Sequence, residues 1–274
     1  MINPLDFTGK TVLVTGGGAG IGRAIADSFA EQGARLIIAE NDPGRAAEAR
    51  AAFGAMAEVH DVDVTNRVAV AAFAKALDRP VDVLVNNVGH FLAAKPFEAL
   101  EDDEIDAILT VNLRSVITVT RAFLPHLRAA APGASIINLT SIEGFRGIPN
   151  CSIYAAAKAG IAGLTKSLAL ELGPAGIRIN DIAPETTETP QVPVTFMIAA
   201  EHRPHIERWI PLGRFGTPSD CAGAALYLAS PLAAWVTGTT IHVDGGALAA
   251  AGWTRDPNGN WTIVPVVSGN GFNF

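Results

Sequence analysis

The chain has 274 residues, 49% of them hydrophobic and 17% charged, and 20 basic against 27 acidic side chains leave a formal charge of −7. That length buries a sizeable core as one α/β domain and excludes extensive disorder, while the acidic excess argues against nucleic acid or an anionic membrane surface as the main partner, because both recruit Lys and Arg. The two isolated cysteines, Cys151 and Cys221, make neither a disulfide framework nor a Cys-based metal site and fit a reducing cytoplasm.

The first ten residues show no basic-then-apolar leader. Short apolar runs at 11–15, 35–39, 58–62, 81–85, 134–139, 177–182 and 239–243 alternate with longer Ala-rich stretches. Most are apolar without alternation, as expected where both faces of a strand are covered. The predicted fold class is therefore α/β: a doubly wound, mostly parallel seven-stranded sheet with helices on both faces, in a single domain.

The first run ends in Thr15-Gly16-Gly17-Gly18-Ala19-Gly20-Ile21-Gly22 and passes straight into a stripe of Ile21, Ile25 and Phe29 closed by Gly33. Gly16, Gly20 and Gly22 have the spacing of a tight turn, a close approach of backbone to phosphate, and close packing of helix on strand. The helix N-terminus would offer amides to a pyrophosphate. A P-loop is the rival, since Gly17 and Gly22 match its spacing, but Arg23 and Ala24 stand where the phosphate Lys and the metal-binding hydroxyl belong. The second run leads to Glu40, where an acid accepts from an adenosine ribose and repels a 2′-phosphate. With Ala19 in place of a basic side chain, NAD is favoured over NADP, and Arg45 is the nearby residue that argues the other way.

Ile161, Leu164, Leu168 and Leu172 form a second helical stripe, closed by Gly173-Pro174. Near its start Tyr154 and Lys158 sit four apart, so their side chains share one helix face. A free phenol has a pKa near 10, too high for a base at neutral pH, and a neighbouring ammonium lowers it, which would make Tyr154 a usable acid and base. Ser141, 13 residues upstream, follows the fifth run and could place a hydroxyl on the same substrate oxygen; alone, it reads as a turn residue. Beyond residue 183, a stretch rich in Thr, Pro and Glu leads into a short helix at 195–209, together a substrate lid over about 184–210. The uncharged stretch 221–243 is broken by Ser230-Pro231 and Thr237-Gly238 and reads as a buried helix then a buried strand rather than a membrane span. Residues 1–246 thus make the nucleotide-binding body, and the tail 247–274, with Trp253, Trp261, Phe272 and Phe274, has no clear period and is expected to pack on the body or on a neighbouring subunit.

The segment 15–22, Asp63-Val64, Asn86-Asn87-Val88-Gly89, Asn112, Ser141, Tyr154-x-x-x-Lys158, Asn180 and Asp244-Gly245-Gly246 together resemble the short-chain dehydrogenase/reductase family, over roughly residues 5–246. The resemblance implies a metal-independent, cytoplasmic, NAD-dependent oxidoreductase that interconverts a secondary alcohol and a ketone. It implies Tyr154 as general acid/base, Ser141 orienting the carbonyl, Lys158 lowering the Tyr154 pKa and holding the nicotinamide ribose, and Asn112 supporting a water-linked proton relay. Its expected cofactor contacts are Gly16, Gly20, Ile21, Gly22, Glu40, Asp63, Val64, Asn87, Gly89, Tyr154, Lys158, Pro184, Thr187 and Thr189; its expected substrate contacts are Ser141, Glu143, Tyr154 and Glu185. A homotetramer or dimer through the fourth and fifth long helices is implied as well.

Three positions depart from the family pattern: Glu185 follows Pro184 where glycine is usual, Val88 stands for alanine, and Glu143 occupies a place where a small residue is common, either lining the substrate pocket or facing solvent. The lid is rich in Val, Pro, Phe and Ile, which suggests a partly apolar small-molecule substrate. Two alternatives are an NADPH-dependent 3-oxoacyl thioester reductase, against which Glu40 and the net charge weigh, and a non-catalytic nucleotide sensor, against which the intact catalytic set argues.

Overall fold

The computed structural model describes residues 3–193, 206–250, 254–255 and 261–262. Seven strands, β1 Thr11–Thr15, β2 Arg35–Glu40, β3 Ala57–Asp61, β4 Val83–Asn86, β5 Ser135–Leu139, β6 Arg178–Pro184 and β7 Thr240–Val243, run parallel in the order β3-β2-β1-β4-β5-β6-β7. All seven predicted runs are strands. The chain starts at β1, moves outward to β3, returns to β4 and then moves outward to β7. The crevice between the carboxyl ends of β1 and β4 is therefore the switch point where α/β folds bind ligands.

The helices are α1 Gly20–Glu31, α2 Pro43–Phe53, α3 Arg67–Ala76, α4 Asp102–Leu109, α5 Ser115–Ala130, α6 Ser152–Leu172, α7 Ile206–Trp209, α8 Pro218–Ala229 and α9 Ala247–Ala250. Neighbours along β1 serve opposite faces. Val12 and Val14 pack with Ile25 and Phe29 of α1 and Leu228 of α8 in one core, and Leu13 packs with Phe73 of α3 and Phe123 of α5 in the other. Both sets are buried, which is why the strand is apolar at successive positions; each such Ile, Leu or Phe stabilises the fold by roughly 1.5–3 kcal/mol. Residues 102–130, spanning α4 and α5, are long and apolar enough by composition to cross a membrane. In this fold Val119, Phe123 and Leu127 of α5 are spent on the sheet.

Two expectations change. β7 pairs only with β6 at the sheet edge and is half-exposed rather than buried, because nothing pairs with its outer side among the described residues. The tail, read as aperiodic, begins with the single turn of α9 and contains a short antiparallel pair, β8 Thr254–Arg255 with β9 Trp261–Thr262; Trp253, Phe272 and Phe274 lie outside the described residues. Of the lid helix at 195–209 only α7 is described, and residues 194–205 also lie outside.

Candidate active site

At the switch point the chain leaves β1 through Gly16 (φ 65°) and Gly20 (φ 57°), conformations that favour glycine. Gly22 lies so close to this turn that a Cβ there would overlap the Gly16 carbonyl oxygen and the Asn87 side chain. Ala19 caps α1 without a side-chain acceptor, so the first-turn amides, with that of Ile21, stay available to an anion. Asn87 serves this turn from below: its Nδ2 donates to the carbonyls of Thr15 (3.0 Å) and Gly16 (3.1 Å), tying β4 to the glycine loop.

Glu40 ends β2 and is buried. Its Oε1 accepts from the amides of Asn41 (3.0 Å) and Asp42 (3.2 Å) and its Oε2 from the amide of Gly18 (3.1 Å). Three amides thus fix one carboxylate on the wall of a groove also lined by Gly16, Asp63, Val64 and Val88. Asp63 closes its own turn, with Oδ1 accepting from Thr65 N (2.9 Å) and Thr65 Oγ1 (2.7 Å). A glycine cradle that a Cβ would fill, a free helix N-terminus and a fixed acid at the end of β2 fit a dinucleotide.

The reactive end is built by β4, β5 and α6. Ser141, two residues beyond β5, opens the turn Ile142–Gly144, its Oγ accepting from Glu143 N at 3.2 Å. α6 then carries Tyr154 and Lys158 inward. The Ser141 hydroxyl acts on that of Tyr154 and lowers its pKa, Lys158 Nζ stands 5.5 Å over the Tyr154 ring centroid, and Nζ donates to the Leu139 carbonyl at 2.8 Å. A Cβ on Gly89 would fall 2.8 Å from Lys158 Nζ and 2.9 Å from Asn112 Oδ1, so glycine is what lets the β4 end approach both.

Asn112 sits fully buried in a π-helical turn, Thr110–Arg114, between α4 and α5. Its Nδ2 donates to the carbonyls of His90 (2.7 Å) and Ile108 (2.9 Å), and its Oδ1 accepts from His90 N (3.0 Å). Such bulges recur at functional sites because they re-aim one side chain.

Burial decides the electrostatics. It pushes the Tyr154 phenol up to about 12, the bond to Ser141 opposing and the charge of Glu143 adding. It also pushes Lys158 down to about 8, with Asp181 opposing. A phenol already lowered by Lys158 is therefore not what the chain alone holds. Removing water from a phenolate costs more than this ammonium, placed over the ring, returns.

On the far side, Pro184 ends β6 and the nearly buried Glu185 follows. Arg146 Nη2 donates to Glu185 Oε2 (2.7 Å) and to Glu143 Oε1 (2.8 Å), while its Nε donates to Glu143 Oε2 (3.2 Å). Glu143 is thus mostly withdrawn from solvent and paired with Arg146. Thr187 is buried and donates to the Glu185 carbonyl at 2.9 Å. Thr189 lies 3.5 Å from where a Gly20 Cβ would stand, and so reaches the nucleotide end. Sequence reasoning missed Arg146 and Asp181. The signal for Asp181 was a carboxylate inside an apolar run expected to be covered on both faces; for Arg146, three residues past Glu143 in a short turn, there was none.

A family profile described as enoyl-(acyl carrier protein) reductase matches residues 16–247. A galactitol 2-dehydrogenase of Agrobacterium fabrum is 35% identical over 253 residues, covering 88% of this chain and 98% of the relative. Two solved structures share the fold. One, from Beutenbergia cavernae, provisionally assigned as an NAD(P)-dependent gluconate 5-dehydrogenase and holding NADP at low occupancy, has a TM-score of 0.83 at 36% identity, over 90% of this chain and 100% of that one. The other, a Brucella melitensis 3-ketoacyl-(acyl-carrier-protein) reductase complexed with NADH, has a TM-score of 0.78 at 36% identity, over 88% and 99%. With the sheet order, the glycine turn and the Ser141, Tyr154 and Lys158 cluster, these matches identify the chain as a member of the short-chain dehydrogenase/reductase family, oxidoreductases acting on hydroxyl and keto groups.

Proposed function

We propose that this protein interconverts an uncharged secondary alcohol and its ketone, with NAD preferred. The observation that carries the reading is the cluster that β5 and α6 build at the mouth of the nucleotide crevice: Ser141 beside the Tyr154 hydroxyl, and Lys158 Nζ 5.5 Å over the phenol ring and bonded to the Leu139 carbonyl at 2.8 Å. NAD(H), when bound, takes or supplies the hydride. The glycine loop with Gly16, Gly20, Ile21 and Gly22 would hold its pyrophosphate, Glu40 its adenosine ribose, Asp63 and Val64 its adenine, and Lys158, Pro184, Thr187 and Thr189 its nicotinamide end. Asn87 and Gly89 act beneath it by shaping the turn and the approach of β4.

At neutral pH a phenol with a pKa near 12 is protonated, so Tyr154 is poised to donate to a carbonyl oxygen while Ser141 orients it. For the reverse reaction Tyr154 must first yield its proton. The positive nicotinamide ring of NAD and the Lys158 ammonium both favour that loss, and Asn112 holds the His90 backbone next to Gly89, which approaches Lys158. Two hydroxyl donors aimed at one oxygen polarise the carbonyl as its charge develops.

The fixed carboxylate of Glu40 disfavours a 2′-phosphate by charge. The expected result is a kcat/KM for NAD exceeding that for NADP by about tenfold or more, in line with a pocket-level difference of ~1.4 kcal/mol. Steady-state kinetics with both cofactors across a panel of secondary alcohols and ketones checks it. The Brucella relative makes the second reading a 3-oxoacyl thioester reductase, and a clear preference for NADPH together with turnover of acyl thioesters would establish that reading instead.

Glu143 and Glu185 against one Arg146 leave the substrate end one negative charge in excess. An uncharged ketone is accordingly expected to have a kcat/KM about tenfold or more above that of its carboxylate-bearing analogue, since like charges in a poorly solvated site repel. Comparing such pairs at constant ionic strength tests this, and equal constants would remove the acidic pair from the substrate end.

A further inference from the structure

Four residues that pair in register across the sheet, Asn86 on β4, Asn138 on β5, Asp181 on β6 and Thr240 on β7, form a polar row inside an otherwise apolar layer. Asn86 Nδ2 donates to Asn138 Oδ1 at 2.8 Å. Asn138 Nδ2 donates to Thr165 Oγ1 (2.8 Å) and to Asp181 Oδ1 (3.3 Å). Thr165 Oγ1 donates to Asp181 Oδ1 at 2.5 Å, and Thr240 Oγ1 to Asp181 Oδ2 at 3.3 Å. The row ends in a fully buried carboxylate whose hydrogen-bond donors are all neutral.

A carboxylate without a counter-charge is costly there, and a neutral side chain would serve the same hydrogen bonds. The cation nearest to it is Lys158: it lies on the face of α6 that carries Thr165, the partner of Asp181, two turns further on, and its Nζ bonds the carbonyl of Leu139, the residue after Asn138, which pairs with Asp181 across the sheet. We propose that Asp181 is a positioning residue for the active site: fixed on β6 by Asn138, Thr165 and Thr240, its carboxylate is the counter-charge that keeps the Lys158 ammonium protonated beside Tyr154.

Burial pushes Asp181 up to about 6 and Lys158 down to about 8, and each group opposes the other's shift. Between those values the carboxylate and the ammonium are charged together. The other titratable groups near Lys158 do not replace Asp181. Tyr154, on α6, is protonated; Glu143, in the turn after β5, acts on Tyr154 and Cys151 and is engaged by Arg146, as is Glu185 after β6. The groups that touch Lys158 from β5 and stand against it from the Gly89 segment and the π-turn, the Leu139 carbonyl, Gly89 and Asn112, carry no charge. Without Asp181, Lys158 would lose much of its charge at neutral pH and would favour a phenolate correspondingly less. That consequence for turnover rests on the role proposed for Tyr154, whereas the titration below needs no turnover, so the failure of either is distinguishable.

The chain has five lysines, so labelling lysine Cε with carbon-13 gives few NMR signals, and a Lys158→Met variant assigns the one of interest. In the wild type the Lys158 signal should titrate near 8. In Asp181→Asn, whose amide oxygen still accepts from Thr165 and Asn138, that midpoint should fall by about one pH unit or more, while the other four lysines and the melting temperature stay close to wild type. A merely structural role would move the melting temperature and leave the Lys158 midpoint where it was; an unshifted midpoint in the folded variant overturns the proposal. Should Asp181→Asn not fold, the wild-type Lys158 signal must still show a second, smaller inflection near 6, as Asp181 takes its proton, and a flat trace there overturns it equally.

Discussion

Replacing Tyr154 by phenylalanine lowers kcat by about a hundredfold or more, in both directions, while the affinity for NAD stays near wild type. The ring keeps its place because α6 is held by the burial of Ala157, Ile161 and Leu172 and not by the hydroxyl. The variant loses the phenol proton that stands beside Ser141 and Lys158. Ser141 can still orient a carbonyl, so a residual rate is expected, but a serine hydroxyl is a far weaker acid than a phenol and has no ammonium beside it. A hundredfold loss corresponds to ~2.7 kcal/mol of transition-state stabilisation, within what a positioned acid/base contributes. Steady-state rates and fluorescence titration of NADH on the same preparation separate the two effects. Unimpaired turnover would move the proton transfer to another group.

Gly22→Ala acts at the other end of the crevice and is expected to weaken dinucleotide binding by about a hundredfold, because a 1 Å displacement of a positioned group is enough for such a loss. The new Cβ meets the Gly16 carbonyl oxygen, which is backbone and cannot rotate away, and the Asn87 amide that ties the turn to β4. Relief requires α1 to withdraw from the loop, which carries its N-terminal amides off the phosphate site. The strain also costs roughly 1–3 kcal/mol of stability, as overpacking does elsewhere. Thermal unfolding with and without NADH measures both: the apo protein should melt lower, and added NADH should raise the melting temperature far less than in the wild type. A variant stabilised by NADH as strongly as the wild type would show that the turn is not where the phosphates sit.

The sheet was legible because its chemistry is monotonous. β1, β2 and β5 are covered on both faces, so each holds two or more apolar residues in succession, Val12–Val14, Leu36–Ala39 and Ile136-Ile137, and Gly33 and Gly173-Pro174 mark where helices hand over to strands. The pairing of Tyr154 with Lys158 was legible because helical spacing alone places both on one face. Depth was not legible. Spacing says that two side chains are near each other, not how much water is left around them, and water is what set the Tyr154 phenol near 12 rather than below 10. Asn112 could be named from the resemblance, but the π-turn that aims it at His90 has no signature in Thr-Val-Asn-Leu-Arg. Arg146 was invisible for a related reason: its bridge joins Glu143 and Glu185, 42 residues apart in sequence, across the loops after β5 and β6. β7 resembles its neighbours in composition, and only the strand order shows that it is the edge.

In the proposed reaction Tyr154 passes a proton to a carbonyl oxygen while a hydride reaches the carbon beside it from a nicotinamide seated on the glycine loop. It is tested most directly by supplying NADH deuterated at the transferable C4 position with a panel of uncharged ketones and analysing the alcohols by mass spectrometry. Deuterium is expected on the carbinol carbon of at least one product with the wild-type protein, and its rate of appearance about a hundredfold lower with Tyr154→Phe. Tight NADH binding with no deuterated alcohol from any ketone, or the same rate of label transfer in both proteins, would contradict it.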